Sequence, residues 1–143
     1  MPAYPTFSTR VIGQAEKTLN AILGRELAGT GLTEPQWVIL TLAVSGGGAA
    51  DRDRFTSMVA DALKISEAEA KARVADMVTA QQLNITGSAV TVTGTAQQLH
   101  SRIRAAIAEI TQRLWGDLPA EDLATAGRVL AIITERANAE LAR

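Results

Sequence analysis

The chain has 143 residues, a formal net charge of −1, 47% hydrophobic and only 3% aromatic residues, and no cysteine. That is about one domain, long enough to bury an aliphatic, alanine-rich core without staples, and it excludes disulfides, thiolate metal sites and cysteine nucleophiles. No stretch reaches the roughly 18 apolar residues that span a bilayer, and Met1 to Ser8 carry no basic region followed by an apolar run, so neither a membrane segment nor a signal peptide is expected and the expected location is cytoplasmic.

Ser8 to Ala28 read as the first helix. Val11, Ile12, Ala15, Leu19, Ile22, Leu23 and Leu27 recur at three- and four-residue steps and form one apolar face. Gly29, Thr30 and Gly31 end it. Thr33-Glu34-Pro35-Gln36 opens a second helix: Thr33 caps, Gln36 reaches back, and Pro35 is tolerated in the first turn. Trp37 to Val44 continue it, apolar nearly all round, which implies burial on most sides. Ser45-Gly46-Gly47-Gly48 is a loop. Asp51 caps a third helix, Arg52 to Leu63, with Phe55, Met58, Val59 and Leu63 facing inward. Lys64-Ile65 is a tight connection. Ser66-Glu67-Ala68-Glu69 has the form of a capping box and starts a fourth helix to about Gln82, with Val74, Met77 and Val78 inside.

The period then switches to alternation. Leu83–Thr86 and Ala89–Thr93 read as two strands joined by a Gly87-Ser88 turn, a hairpin too small to stand without the helices. From Thr95 a long helix carries Leu99, Ile103, Ile107, Ile110 and Leu114 on one stripe, until Asp117-Leu118-Pro119 break it. A last helix from Glu121 to the end keeps Leu123, Ala126, Leu130, Ile133, Ala137 and Leu141 in phase.

Two helices joined by a very short turn and followed directly by a hairpin are the winged helix-turn-helix order, in which the second helix enters the major groove. The predicted fold class is therefore mainly α: about six helices plus one β-hairpin, as a single domain over residues 1–143. Residues 33–95 are its winged helix-turn-helix. Residues 8–28 and 96–143 carry stripes too long for that small motif to cover, and a symmetric copy of the same helices is the simplest partner. Ile12, Leu19, Leu123, Leu130, Ile133 and Leu141 are the expected dimerisation residues.

At this point the chain resembles the multiple-antibiotic-resistance regulator (MarR) family. Gly31-Leu32-Thr33-Glu34-Pro35-Gln36-Trp37-Val38-Ile39-Leu40 looks like that family's second-helix opening. Val59 to Ser66 resemble its helix-turn-helix start, Val90-Thr91-Val92-Thr93 the strand that closes its wing, and Leu118 to Leu123 the start of its last helix. The resemblance runs over nearly the whole chain in the right order. It implies a homodimeric regulator that binds double-stranded DNA and is often released by a small phenolic or lipophilic ligand. Ser66, Lys71 and Arg73 would then face the major groove, and Arg52, Arg54 and Lys64 would touch phosphate. Trp37 and His100 would lie by the ligand pocket. No cofactor is implied.

The DNA-facing parts depart from the family pattern. Family wings carry arginine at the tip, whereas Thr86-Gly87-Ser88-Ala89 is uncharged, and no Lys or Arg occurs from Val74 to Ser101. Ala96 stands where the family usually has glycine. Between Asp51 and Thr95, Arg52, Arg54, Lys64, Lys71 and Arg73 face Asp51, Asp53, Asp61, Glu67, Glu69 and Asp76, five cations against six anions. Glu67 and Glu69 either repel phosphate or simply complement their helix dipole. A second reading follows: a dimer of the same fold that binds a small ligand or a protein partner without reading duplex sequence.

Single residues keep bland alternatives. Trp37 on an apolar helix is core or pocket lining, and Trp115 packs a helix end or a dimer seam. His100, the one histidine, lines a pocket or is a partly buried or surface side chain. Tyr4 and Phe7, in an arm with Pro2 and Pro5, dock on a partner or fray. No enzyme signature emerges: Gly46-Gly47-Gly48 lacks the lysine of a phosphate-cradling loop, and the paired carboxylates sit at helix starts. The expectation is a protein that is not an enzyme and holds no metal.

Overall fold

A computed structural model describes residues 3–46 and 51–143. Pro2 of the expected N-terminal arm, and Gly47 and Gly48 of the expected loop, lie outside the described residues. The elements run α1 (Thr9–Leu27), α2 (Glu34–Val44), α3 (Arg52–Leu63), α4 (Glu67–Thr79), β1 (Leu83–Thr86), β2 (Ala89–Val92), α5 (Gly94–Trp115) and α6 (Ala120–Leu141). The mainly helical class with one hairpin is thus the observed one. None of these helices is long and apolar enough to cross a membrane.

The chain forms two compact units, Met1–Ile107 and Ala108–Arg143. In the first, the core is aliphatic around a single buried phenylalanine. Ile39 and Leu40 of α2, Phe55 and Val59 of α3, Ala70, Val74 and Met77 of α4, and Leu83 and Val90 of the hairpin are all buried. β1 and β2 pair antiparallel with Leu83 opposite Val92 and Ile85 opposite Val90, so one face of the hairpin is apolar and closes over the helices. Gly87 opens the turn at φ +64°, a conformation that costs glycine nothing.

The start of α2 is the double bond arrangement its sequence predicts. The Thr33 hydroxyl accepts from the Gln36 amide at 3.3 Å, and the Gln36 side chain accepts from the Thr33 amide at 2.9 Å. The box at Ser66 is only half made. Its hydroxyl accepts from the Glu69 amide at 3.1 Å, but it also donates to the Glu69 carboxylate at 3.2 Å, and that carboxylate is turned to the hydroxyl.

Two boundaries differ from expectation. α4 stops at Thr79 instead of running to Gln82. Gln81 takes a left-handed φ of 59°, the Gln82 amide bonds back to Met77 O at 2.9 Å, and the Gln81 amide to Val78 O at 3.0 Å. This is a Schellman stop built without glycine, so no local signal marks it. Thr93, expected at the end of the second strand, caps α5 instead. Its hydroxyl donates to Gln81 O at 2.9 Å and accepts from the Ala96 amide at 3.2 Å, and α5 starts at Gly94. Ala96 is buried, so a side chain where the family usually has glycine contributes to the core.

The second unit holds the end of α5 and all of α6. Pro119 opens α6 without a side-chain cap, and Glu121 and Asp122 in its first turn complement the helix dipole. No residue of α6 is buried, although its apolar stripe keeps helical phase. Leu123, Leu130, Ile132 and Leu141 are exposed, and Val129 and Ile133 half-buried.

Candidate functional site

α3 and α4 form a tightly joined helix pair. Asp51 caps α3 by accepting from the Arg54 amide at 2.8 Å. Lys64 ends it in the left-handed conformation at φ 56°, and the Ile65 amide returns to Ala60 O at 3.1 Å. Ser66 then caps α4 at once. The inner faces of both helices are buried in the common core, which leaves Glu67, Ala68, Glu69, Lys71, Ala72, Arg73, Ala75, Asp76 and Thr79 of α4 exposed. The result is a helix seated on the core by one side and bare on the other.

The predicted contact residues do not behave alike. Arg52 and Lys71 together line two grooves. One, of about 270 Å³, is shared with Asp53, Thr56, Ser57 and Glu67; the other, of about 280 Å³, has Val74, Val78, Thr79 and Ile85 as neighbours. Cations from two helices thus converge on one region, with Asp53 and Glu67 beside them. Arg54 and Arg73 are exposed and line neither groove. Lys64 lies 3.3 Å from the Asp61 carboxylate. The Ser66 hydroxyl is engaged by its own helix.

The hairpin tip is stitched to the start of α3. The Arg52 amide donates to Ser88 O at 2.6 Å, and Asp51 and Ala89 form an antiparallel bridge. Asp51, Arg52, Asp53, Gly87 and Ser88 line the groove left there, about 390 Å³. From Leu83 to Val92 the hairpin carries no charged side chain.

A different cluster joins α2 to α5. His100 is 2% exposed, so it is neither a surface nor a partly buried residue. Its ring stacks on Trp37 with centroids 4.6 Å apart and an interplanar angle of 17°. Its Nε2 lies 3.1 Å from the Thr41 hydroxyl. Burial, reinforced by the Arg104 cation, lowers its pKa below the ordinary value of 6.5, which favours a neutral imidazole. Trp37 and His100, both expected at a ligand pocket, therefore touch each other, and neither lines the three grooves described above. Sequence reasoning misses Thr41, which no motif marks. Among the described residues, no group of three or more His, Cys, Asp and Glu side chains is placed to hold a metal ion.

Comparison with solved structures gives close backbone matches at low identity. The chain matches ligand-free NadR with a TM-score of 0.77 at 18% identity, over 93% of this chain and 98% of that one. It matches AbsC, a MarR family transcriptional regulator from Streptomyces coelicolor, with a TM-score of 0.72 at 18% identity over 95% and 99%. It matches the Mycobacterium tuberculosis MarR family protein Rv2887 complexed with DNA with a TM-score of 0.66 at 16% identity over 90% and 98%. The fold is the MarR-type winged helix. No protein-family model matches the sequence, and no curated protein sequence does.

In the terms of the MarR-type fold, α3 and α4 are the helix-turn-helix and β1–β2 the wing. The Gly31–Leu40 motif holds the loop before α2 and its capping box, with Leu32, Ile39 and Leu40 buried. α4 is the second helix of that pair, and its solvent face carries two cations, Lys71 and Arg73, together with Glu67, Glu69 and Asp76.

Proposed function

We propose that this chain is a homodimeric DNA-binding transcriptional regulator of MarR type that reads double-stranded DNA with the outer face of α4. The observation that carries this reading is the bare outer side of α4 on a helix pair whose inner side is fully packed. Such a mount presents a rigid helix to a major groove. Lys71 and Arg73 supply base or phosphate contacts there, and Arg52 and Arg54 reach phosphates from α3. Lys64 and Ser66 contribute less, since each already has a partner within the protein. The MarR family protein Rv2887 with DNA, cited above, is a fold relative that supports the same direction.

In this reading residues 1–143 act as one domain, with 33–95 as reader and 8–28 and 96–143 as dimerisation helices. Leu19 of α1 and Leu123, Leu130 and Leu141 of α6 are exposed, and Ile12 and Ile133 half-buried, so both helices keep apolar surface for a second copy. A small lipophilic or phenolic ligand would bind at Trp37 and His100, and to insert there it would have to part the two stacked rings. Another structure of Rv2887, complexed with salicylic acid, matches this chain with a TM-score of 0.60.

The test is selection of duplexes from a random-sequence pool by the purified protein, followed by titration of the recovered duplex at rising salt. Binding that weakens as salt rises is expected, because phosphate contacts release counterions. Arg73→Ala should lower affinity and reduce the salt slope by about one per protomer. Unchanged affinity in that variant removes Arg73 from the interface. The balance of five cations against six anions around the motif favours one other reading, a dimer that binds a ligand or protein without duplex recognition. Recovery of no duplex even at low salt would select it.

A further inference from the structure

The wing of this protein is short, uncharged and tied down. Its strands have four residues each, and the Gly87-Ser88 turn is the shortest that closes a hairpin. The carbonyl at the tip, Ser88 O, is held by the Arg52 amide at 2.6 Å, and the Asp51–Ala89 bridge fastens the next residue. The side chains around the tip are Asp51, Asp53 and Arg52, so two carboxylates flank the place where a wing would meet phosphates. A cationic side chain is what exploits the narrow, negative minor groove, and this hairpin has none. Meanwhile the tip satisfies one of the free amides at the N-terminus of α3, the helix that carries Arg52 and Arg54.

We propose that the hairpin is a brace that holds the start of α3, and that this protein reads duplex DNA from the major groove alone. The inference rests on the regulator reading above and sharpens it: base specificity comes from α4, and the flanks of the binding site carry no minor-groove information. Arg52 has two separable roles in this scheme. Its amide anchors the hairpin, and its side chain faces the grooves shared with Lys71.

Two measurements on the full chain test it. In the duplex recovered by selection, each G·C pair is replaced in turn by inosine·C, which removes the minor-groove amino donor and leaves the major-groove edge as it was. Affinity should change less than about twofold at every position, whereas replacing A·T by inosine·C at positions read by α4 should cost about tenfold. A severalfold change in either direction on any G·C replacement at the flanks overturns major-groove-only reading. The brace is tested by comparing Arg52→Pro with Arg52→Ala. Both lose the side chain, but only proline loses the amide. Proline is tolerated at the first position of a helix, and Asp51, at φ −67° and ψ 164°, already has the conformation that precedes proline. Hairpin amides should exchange with solvent faster in Arg52→Pro than in Arg52→Ala; equal exchange overturns the brace. Recovery of no duplex at all overturns the regulator reading and the DNA half of this one, and the exchange comparison still decides the brace.

Discussion

The contact between Thr41 and His100 links α2 to α5, and it makes a quantitative prediction. Thr41→Val removes the hydroxyl at nearly constant shape and leaves the imidazole nitrogen buried without its partner 3.1 Å away. That costs about 1–3 kcal/mol. His100→Phe keeps a ring to stack on Trp37 but leaves the Thr41 hydroxyl unpaired. Thr41 is half-buried and keeps some access to water, so this change costs less, about 1 kcal/mol. With both changes neither orphan remains, so the double variant should be more stable than the sum of the singles predicts, by about 2 kcal/mol or more. Urea denaturation at fixed protein concentration reads all four proteins. Acidity gives an independent readout. Desolvation first, and Arg104 second, hold the folded-state pKa of His100 below its unfolded value of 6.5. The unfolded chain then binds the proton more readily, so stability rises with pH. His100's contribution is complete above its unfolded pKa and is lost as pH falls through the folded one. Wild type should lose stability in that window relative to His100→Phe. Additive single effects, together with identical pH profiles, would refute the reasoning.

Three further changes follow from the fold. Gln81→Gly relieves a left-handed non-glycine residue at the end of α4 and should raise stability by about 0.5–1 kcal/mol in urea titration, after allowing for glycine's greater chain entropy. Thr93→Ala removes the cap of α5 and the bond to Gln81 O, and should cost about 1–2 kcal/mol by the same assay. Leu130→Asp, on the exposed apolar stripe of α6, should convert a dimer to a monomer in sedimentation; an unchanged mass would remove α6 from the seam.

Helical phase and caps carried most of the architecture because each is a local rule. The α2 start is legible since Thr33 and Gln36 need only each other. The α4 stop is not, because glutamine adopts the left-handed conformation only where backbone bonds to Met77 and Val78, and the Thr93 hydroxyl next along, offset its cost of about 1–2 kcal/mol. His100 shows how a readable signal is passed over. Ala96, His100, Ile103, Ile107 and Ile110 follow steps of four and three, and Ala96, His100, Ile103 and Ile110 are buried with Ile107 half-buried. The phase puts the histidine inside, but residue type argues the other way until Trp37 and Thr41, on another helix, supply a flat face and a hydroxyl.

The convergence of Arg52 and Lys71 was hidden for a different reason. Each lies on the outside of its own helix, where phase says only that it meets solvent. Which exposed groups of α3 and α4 meet depends on the angle at which the helices cross, and that is set by the packing of Phe55, Val59, Ala70 and Val74 beneath them. The same limit applies to α6. Its stripe is in perfect helical register, yet none of its residues is buried. Register determines which side seeks a partner, whereas the identity of the partner is a property of another surface. This is why the dimer is a matter for the Leu130 variant, and why the outer face of α4 must be tested against DNA.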